Sequence, residues 1–142
     1  MIIRTMNTED LPQLAMLYKQ FWDEDSDIDK MKAQFEKVAQ RHTHILLSVV
    51  VEDKLVGSVM GVVCEELYGD CRPFLVVENM IVDQSARRMG VGRALLNELE
   101  ERARERNCTQ MILVTEKDRS DACHFYESYG FSLDTTGYKK KL

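Results

Sequence analysis

The sequence predicts a single α/β domain: a mixed sheet of six or seven strands flanked by about four helices. Short runs rich in β-branched residues alternate with longer runs of helical periodicity. At 142 residues the chain has one domain's length, enough to bury a core. Its 44% hydrophobic and 30% charged residues are the balance of a folded globular protein rather than of a disordered one. No apolar run approaches the roughly 20 residues that cross a bilayer, so no membrane partner is expected.

Taken in order, Ile2–Met6 reads as a first strand, and Thr8-Glu9-Asp10 caps a helix with apolar positions Leu11, Leu14, Ala15, Tyr18, Phe21 and Trp22. An acidic run, Asp23 to Asp29, leads into a second helix with Ile28, Met31, Phe35 and Val38 in phase. Its carboxylates suit a helix N-terminus, with Ser26 or Asp27 as N-cap, and would equally attract a polycation. Ile45–Glu52 and Leu55–Glu66 form a hairpin around Asp53-Lys54, and the central strand covers about Phe74–Val82. A helix from near Gly90 places Val91, Leu95, Leu96, Leu99 and Ala103 on one face. Gln110–Thr115 is another strand, Asp118–Tyr129 a short helix, and Phe131–Leu133 and Gly137–Lys141 closing strands. No repeat or linker divides the chain.

The net charge is -5, and its acidic excess lies in residues 1–70, with 7 Lys/Arg against 13 Asp/Glu. That argues against nucleic acid, which needs a basic stripe, and suits a cationic substrate. Cys64, Cys71, Cys108 and Cys123 form no C-x-x-C pair and have no His at zinc-site spacing, so no metal is expected. Met1-Ile2-Ile3-Arg4 lacks the charged and apolar regions of a secretory signal. Reduced thiols in a cytoplasmic protein are the expectation.

The chain is organised around Val77 to Leu96, where an apolar strand crosses a polar segment, two arginines and Gly-Val-Gly before entering the amphipathic helix. The first amides of a helix have no helical partners, and the dipole adds partial positive charge. Gly90 and Gly92 let a phosphate approach the backbone, while Arg87, Arg88 and Arg93 supply formal charge. The third glycine of a dinucleotide fingerprint is replaced by Leu95, and no Gly-Lys pair of a P-loop exists.

What Arg87 to Gly92 does match is R-x-x-G-x-G, which, with its preceding strand, resembles the acetyl-CoA motif of the GNAT superfamily of N-acetyltransferases. A second segment, Ala122-Cys123-His124-Phe125-Tyr126-Glu127-Ser128-Tyr129-Gly130-Phe131, is similar to the family's A-x-x-F-Y-x-x-x-G-F signature. The likeness extends from about Ile2 to Leu142, one N-acetyltransferase domain over residues 1–142, with a splayed and bulged central strand. Glu78 matches the glutamate that accepts the amine proton in small-amine and polyamine members, with Glu116 as second candidate, and Tyr126 matches the tyrosine that protonates the departing thiolate. The resemblance puts the amide of Met80 on the acetyl carbonyl, Ile81 and Val82 along the pantetheine arm, and Arg87, Arg88, Met89, Gly90, Val91, Gly92 and Arg93 around the pyrophosphate. Arg119 stands where many relatives carry an Asn that bonds the cofactor amide.

The activity implied is direct acetyl transfer from acetyl-CoA, the co-substrate, to a primary amine of a small molecule. Acetylation of protein lysines or N-termini is one alternative, and a non-catalytic acyl-CoA sensor is another. Family habit also implies a possible homodimer.

Overall fold

The computed structural model describes residues 1–142, whose contacts divide into two compact units, Met1–Ile112 and Leu113–Leu142. The first unit is a five-stranded sheet in the order β1-β2-β3-β4-β5: Ile2–Thr5, His44–Val51, Lys54–Cys64, Phe74–Val82 and Met111–Ile112. Neighbours are antiparallel except β4 and β5, which pair in parallel. Helices α1 (Leu11–Trp22), α2 (Ile28–Ala39) and α3 (Val91–Glu105) belong to this unit.

Local chemistry sets most boundaries. Asn7, rather than Thr8 or its neighbours, starts the first helical segment. It makes a capping box with Asp10 around a single 3-10 turn, Thr8–Asp10, which runs into α1. Asp27 is the cap of α2, accepting from the Lys30 amide at 3.1 Å. Glu52 and Asp53, at φ 49° and 61°, make the two-residue turn between β2 and β3, one position earlier than the sequence suggests.

The face expected of α3 is buried in full: Val91, Leu95, Leu96, Leu99 and Ala103 are its buried residues. It lies against β3 at two glycines. A Cβ on Gly57 would come within 2.8 Å of Val91 Cγ1, and one on Gly61 within 2.7 Å of Leu99 Cδ1. Leu11, Leu14 and Leu17 of α1 join Met6, Leu55 and Ile81 in a second cluster. Helix α2 contributes no buried residue, and Ile28, Met31, Phe35 and Val38 are only half-buried.

The second unit contains α4 (Ser120–Tyr129) and no strand. The expected strands Phe131–Leu133 and Gly137–Lys141 are absent, and Gln110–Thr115 shrinks to Met111–Ile112, so the sheet has five strands instead of six or seven. From Ser132 to Leu142 every residue is exposed, Leu133 and Tyr138 included. A segment that buries no side chain and carries three consecutive lysines gains too little from burial to offset the ordering cost of a ladder.

One buried polar group ties the N-terminal elements together. Asp10, 5% exposed, takes two 2.7 Å bonds from the Arg4 guanidinium, one of 3.0 Å from the Asn7 amide and one of 2.9 Å from the Ser48 hydroxyl. Burial pushes its carboxyl up, but the bonds from Arg4, Asn7 and Ser48 outweigh that and hold it below the ordinary carboxylate range. The folded state therefore favours ionised Asp10. This stability is present above the ordinary range and is lost as pH falls through the lowered value. Urea unfolding should show Asp10→Asn less stable than the parent by about 2–3 kcal/mol at pH 7. That gap should narrow once pH falls below the ordinary 3.8 towards the lowered value, and a gap that stays constant through acid unfolding would refute the role of ionised Asp10.

Candidate active site

The predicted site residues fall in both units. In the first they follow β4 and its exit. The β3–β4 register pairs Met60 with Glu78 and Ser58 with Ile81, so β3 advances two residues while β4 advances three. The extra residue is a β-bulge at Asn79–Met80, with Asn79 left-handed at φ 49°. Directly paired residues share a sheet face, so Glu78 and Ile81 emerge on the same side although three apart. Leu46, Met60 and Glu78 form one row across β2, β3 and β4. Glu78 is exposed. On its other edge β4 pairs with β5 only at Leu75 and Val76, which leaves Val77–Val82 without a ladder partner in the sheet there. The splayed, bulged strand expected from the sequence is present.

Beyond Val82 the chain is held by Asp83, a residue that sequence reasoning passed over. Its amide donates to the Val56 carbonyl at 2.8 Å. Its carboxylate accepts from the Ser85 hydroxyl at 2.6 Å and amide at 2.8 Å, and pairs with Lys54 at 3.1 Å. The Ser85 hydroxyl, chiefly, holds this 6%-exposed carboxyl below its ordinary range against the opposing effect of burial. Gln20 of α1 accepts the next amide, Gln84, at 3.1 Å. An Asp two residues before a Ser is an Asx-type turn signal, and that pattern was visible in the sequence.

Arg87 is extended, Arg88 is left-handed at φ 65°, and both are exposed, as are Met89 and Arg93. Gly90 caps α3 at φ 81°, a conformation that disfavours any residue with a Cβ. The first helical bond runs from the Ala94 amide to the Gly90 carbonyl at 2.9 Å, so the amides of Val91 and Gly92 precede the helical ladder. The strand, turn and helix N-terminus thus have the geometry read from the sequence.

Between α1, α2 and the sheet lies a cavity of about 210 Å³. Leu14, Tyr18, Met31, Phe35, Leu46 and Met60 form apolar walls, and Gln34, Ser58 and Asn79 are polar lining residues. Burial pushes the Tyr18 phenol up, so it stays neutral at physiological pH. The acidic run does not line this cavity. Asp23 and Asp25 lie 3.5 and 3.4 Å from Lys19, and Asp27 is the α2 cap.

In the second unit, Tyr126 sits on α4, half-buried, with its ring centroid 5.8 Å from Phe131 in an edge-on contact. The Phe131 amide donates to the Tyr126 carbonyl at 3.0 Å and the Gly130 amide to that of Glu127 at 3.1 Å, a Schellman corner with Gly130 at φ 123°. Burial raises the Tyr126 phenol, and Arg119 opposes this. Arg119 is exposed at the start of α4. Glu116 pairs with Lys139, which holds its carboxyl low.

A bulged central strand with one edge open, followed by a glycine-capped helix across the sheet, defines an α/β protein of acyltransferase architecture. The chain belongs to the acetyltransferase (GNAT) family, whose family model matches residues 10–131. It is 24% identical over 124 residues to streptothricin acetyltransferase A of Bacillus subtilis, covering 85% of this chain and 64% of that one. The chain spans 36% to 64% of the lengths of the curated relatives it matches. Among solved structures it superposes on a protein of Agrobacterium tumefaciens described as a "putative acetyltransferase" with TM-score 0.93, at 24% identity over all of both chains. A second, AAC(6')-Iy in complex with a CoA-containing bisubstrate analogue, gives TM-score 0.81 at 21% identity, over 99% of this chain and 98% of that one.

The position of the α3 N-terminus depends on the close approach at β3. Gly57→Val would drive its side chain into Val91 and towards the Ile81 carbonyl, 3.3 Å from the added Cβ. Overpacking of this kind costs about 1–3 kcal/mol. Urea unfolding should show that loss, and calorimetry should show weakened acetyl-CoA binding in the folded variant. Unchanged values for both would mean that α3 is not held by this contact.

Proposed function

We propose that this chain transfers the acetyl group of acetyl-CoA to a primary amine of a small molecule by direct attack. Residues 1–142 act as one N-acetyltransferase domain, in the cytoplasm. The observation that carries this reading is the bulge at Asn79–Met80 beside an unpaired strand edge. It offers backbone groups to an extended ligand arm immediately before a glycine-capped helix N-terminus. The pantetheine arm lies along Ile81 and Val82. The pyrophosphate meets the first-turn amides of Val91 and Gly92, in the surround of Arg87, Arg88, Met89, Gly90 and Arg93. Arg119, standing where many relatives carry an Asn, completes the set of cofactor-binding candidates.

The chemistry then needs three groups. An alkylamine has a pKa near 10 and must lose a proton to attack. Glu78 accepts it, directly or through water. Glu116, the other candidate, is engaged by Lys139 and held low, which disfavours it as a base. The Met80 amide polarises the thioester carbonyl as negative charge develops on its oxygen. The new C–N bond forms as the C–S bond breaks, and the sulfur takes its proton from Tyr126. A phenol raised by burial keeps that proton at neutral pH until the thiolate appears. Relatives named for streptothricin and for an acetylneamine analogue support an amine acceptor.

The direct test is acetyl-CoA turnover with a panel of amines, followed by thiol release. Tyr126→Phe should lower kcat by roughly 10²-fold or more with acetyl-CoA affinity nearly unchanged. Glu78→Gln should lower the rate on a similar scale, most strongly at lower pH where the amine is fully protonated. Near-normal kcat in both variants would leave the acid–base assignment without support. Gly90→Asp, by strain at positive φ and by its charge, should weaken acetyl-CoA at least tenfold in calorimetry, and unchanged affinity would overturn the placement of the pyrophosphate at this helix N-terminus.

A further inference from the structure

We infer that the amine accepted here carries a compact apolar body, an aromatic ring or a branched or linear chain of about six carbons on a short aminoalkyl arm, and is not a polycation. This rests on the reading of the site as an acetyltransferase and specifies its substrate class.

The cavity beside β4 supplies the argument. No Asp, Glu, Lys or Arg lines it, so nothing in its walls pairs with a second or third ammonium group. The acidic run offers a polycation nothing inside the cavity: Asp23 and Asp25 share Lys19, Asp27 caps α2, and neither these nor Glu24 and Asp29 line the walls. Its volume of about 210 Å³ compares with the roughly 150 Å³ in which an apolar engineered cavity holds benzene. A ring with a short arm fits within these walls, whereas most of a multi-ring amino sugar would stand outside them, where the cavity opens to solvent. Met31 and Phe35 are half-buried, packed against the α1 cluster on one side and lining the cavity on the other.

Orientation follows from register. Met60 lines the cavity and is the direct cross-strand partner of Glu78, while Asn79, the bulge residue, lines it too. An apolar body lodged between Met31, Phe35 and Met60 therefore directs its amine to the one carboxylate at the end of the Leu46–Met60–Glu78 row. There the ammonium finds charge, and beyond it the bulge.

Two measurements on the full chain test this. The first is kcat/KM for linear amines from propylamine to hexylamine, for phenethylamine, and for spermidine and kanamycin. Apolar amines should gain about fourfold per added methylene until the cavity is full, the equivalent of about 0.8 kcal/mol per buried CH₂. Phenethylamine should exceed spermidine and kanamycin at least tenfold. Met31→Glu, on a helix with no buried residue, should cut the phenethylamine value tenfold or more and leave KM for acetyl-CoA unchanged. The second is a titration of methyl-labelled methionines. Phenethylamine should shift Met6, Met31 and Met60, which line the cavity, and leave the exposed Met1, Met16 and Met89 in place, while spermidine should shift none. Turnover of spermidine or kanamycin in preference to phenethylamine overturns the inference and leaves the acetyltransferase reading standing. Absence of turnover with every amine removes that reading instead. The methionine titration then judges the cavity alone: shifts at Met31 and Met60 uphold its choice of ligand, and their absence overturns it.

Discussion

Helix α3 lies where it does because β3 presents no side chain at Gly57 and Gly61. These residues are four apart on one face of a strand, and they meet Val91, Leu95 and Leu99, four apart on one face of a helix. A methyl group at either glycine would fall inside 3 Å of a buried side chain. Glycine in a strand interior is unfavourable by roughly 0.5–1 kcal/mol relative to Ala. The close seating of three fully buried apolar residues, at about 1.5–3 kcal/mol each, outweighs that. The seating also fixes the helix's first turn. Val91 is both the first residue in contact with the sheet and the first residue after the Gly90 cap. Packing and the orientation of the candidate phosphate-facing amides are therefore one constraint.

The bulge in β4 is the second device, and it works by parity. One extra residue returns Ile81 to the face already used by Glu78. Ile81 can then join the α1 cluster while Glu78 stays paired with Met60, a lining residue of the apolar cavity. Without the bulge the two would lie on opposite faces, and either the core or the candidate base would lose its position. Asp83 completes the arrangement by fixing the exit from β4 through Val56, Ser85 and Lys54.

The parts legible in the sequence were those governed by periodicity. All five residues assigned to the buried face of α3 are its buried residues, because a long amphipathic helix repeats its signal over four turns. The glycine turn was legible for a similar reason, since few residues tolerate the backbone at Gly90. The bulge is legible chiefly through family resemblance, since the one local mark, an Asn that tolerates the left-handed backbone of Asn79, is common elsewhere. Gly57 and Gly61 were missed because a strand glycine reports its meaning only through the partner that approaches it. The cavity was hidden as well: Met31, Phe35 and Val38 read as ordinary core positions, and only packing reveals that they stop short of closure. Phe131–Leu133 and Gly137–Lys141 are not strands because Phe131 packs on Tyr126 and Tyr129 of α4, while Leu133 and Tyr138 stay exposed and find nothing to pack against.

The central claim is that one strand bulge and one helix N-terminus bring a thioester and an amine together for transfer without a covalent enzyme intermediate. A rapid-quench experiment with acetyl-labelled acetyl-CoA and stoichiometric chain tests it most directly. The account predicts that no label stays on the protein when the amine is omitted. When an amine is added, label should pass to its nitrogen in step with thiol release. Label trapped on a cysteine or another side chain at a rate matching turnover, or thiol release without N-acetylated product, would contradict it.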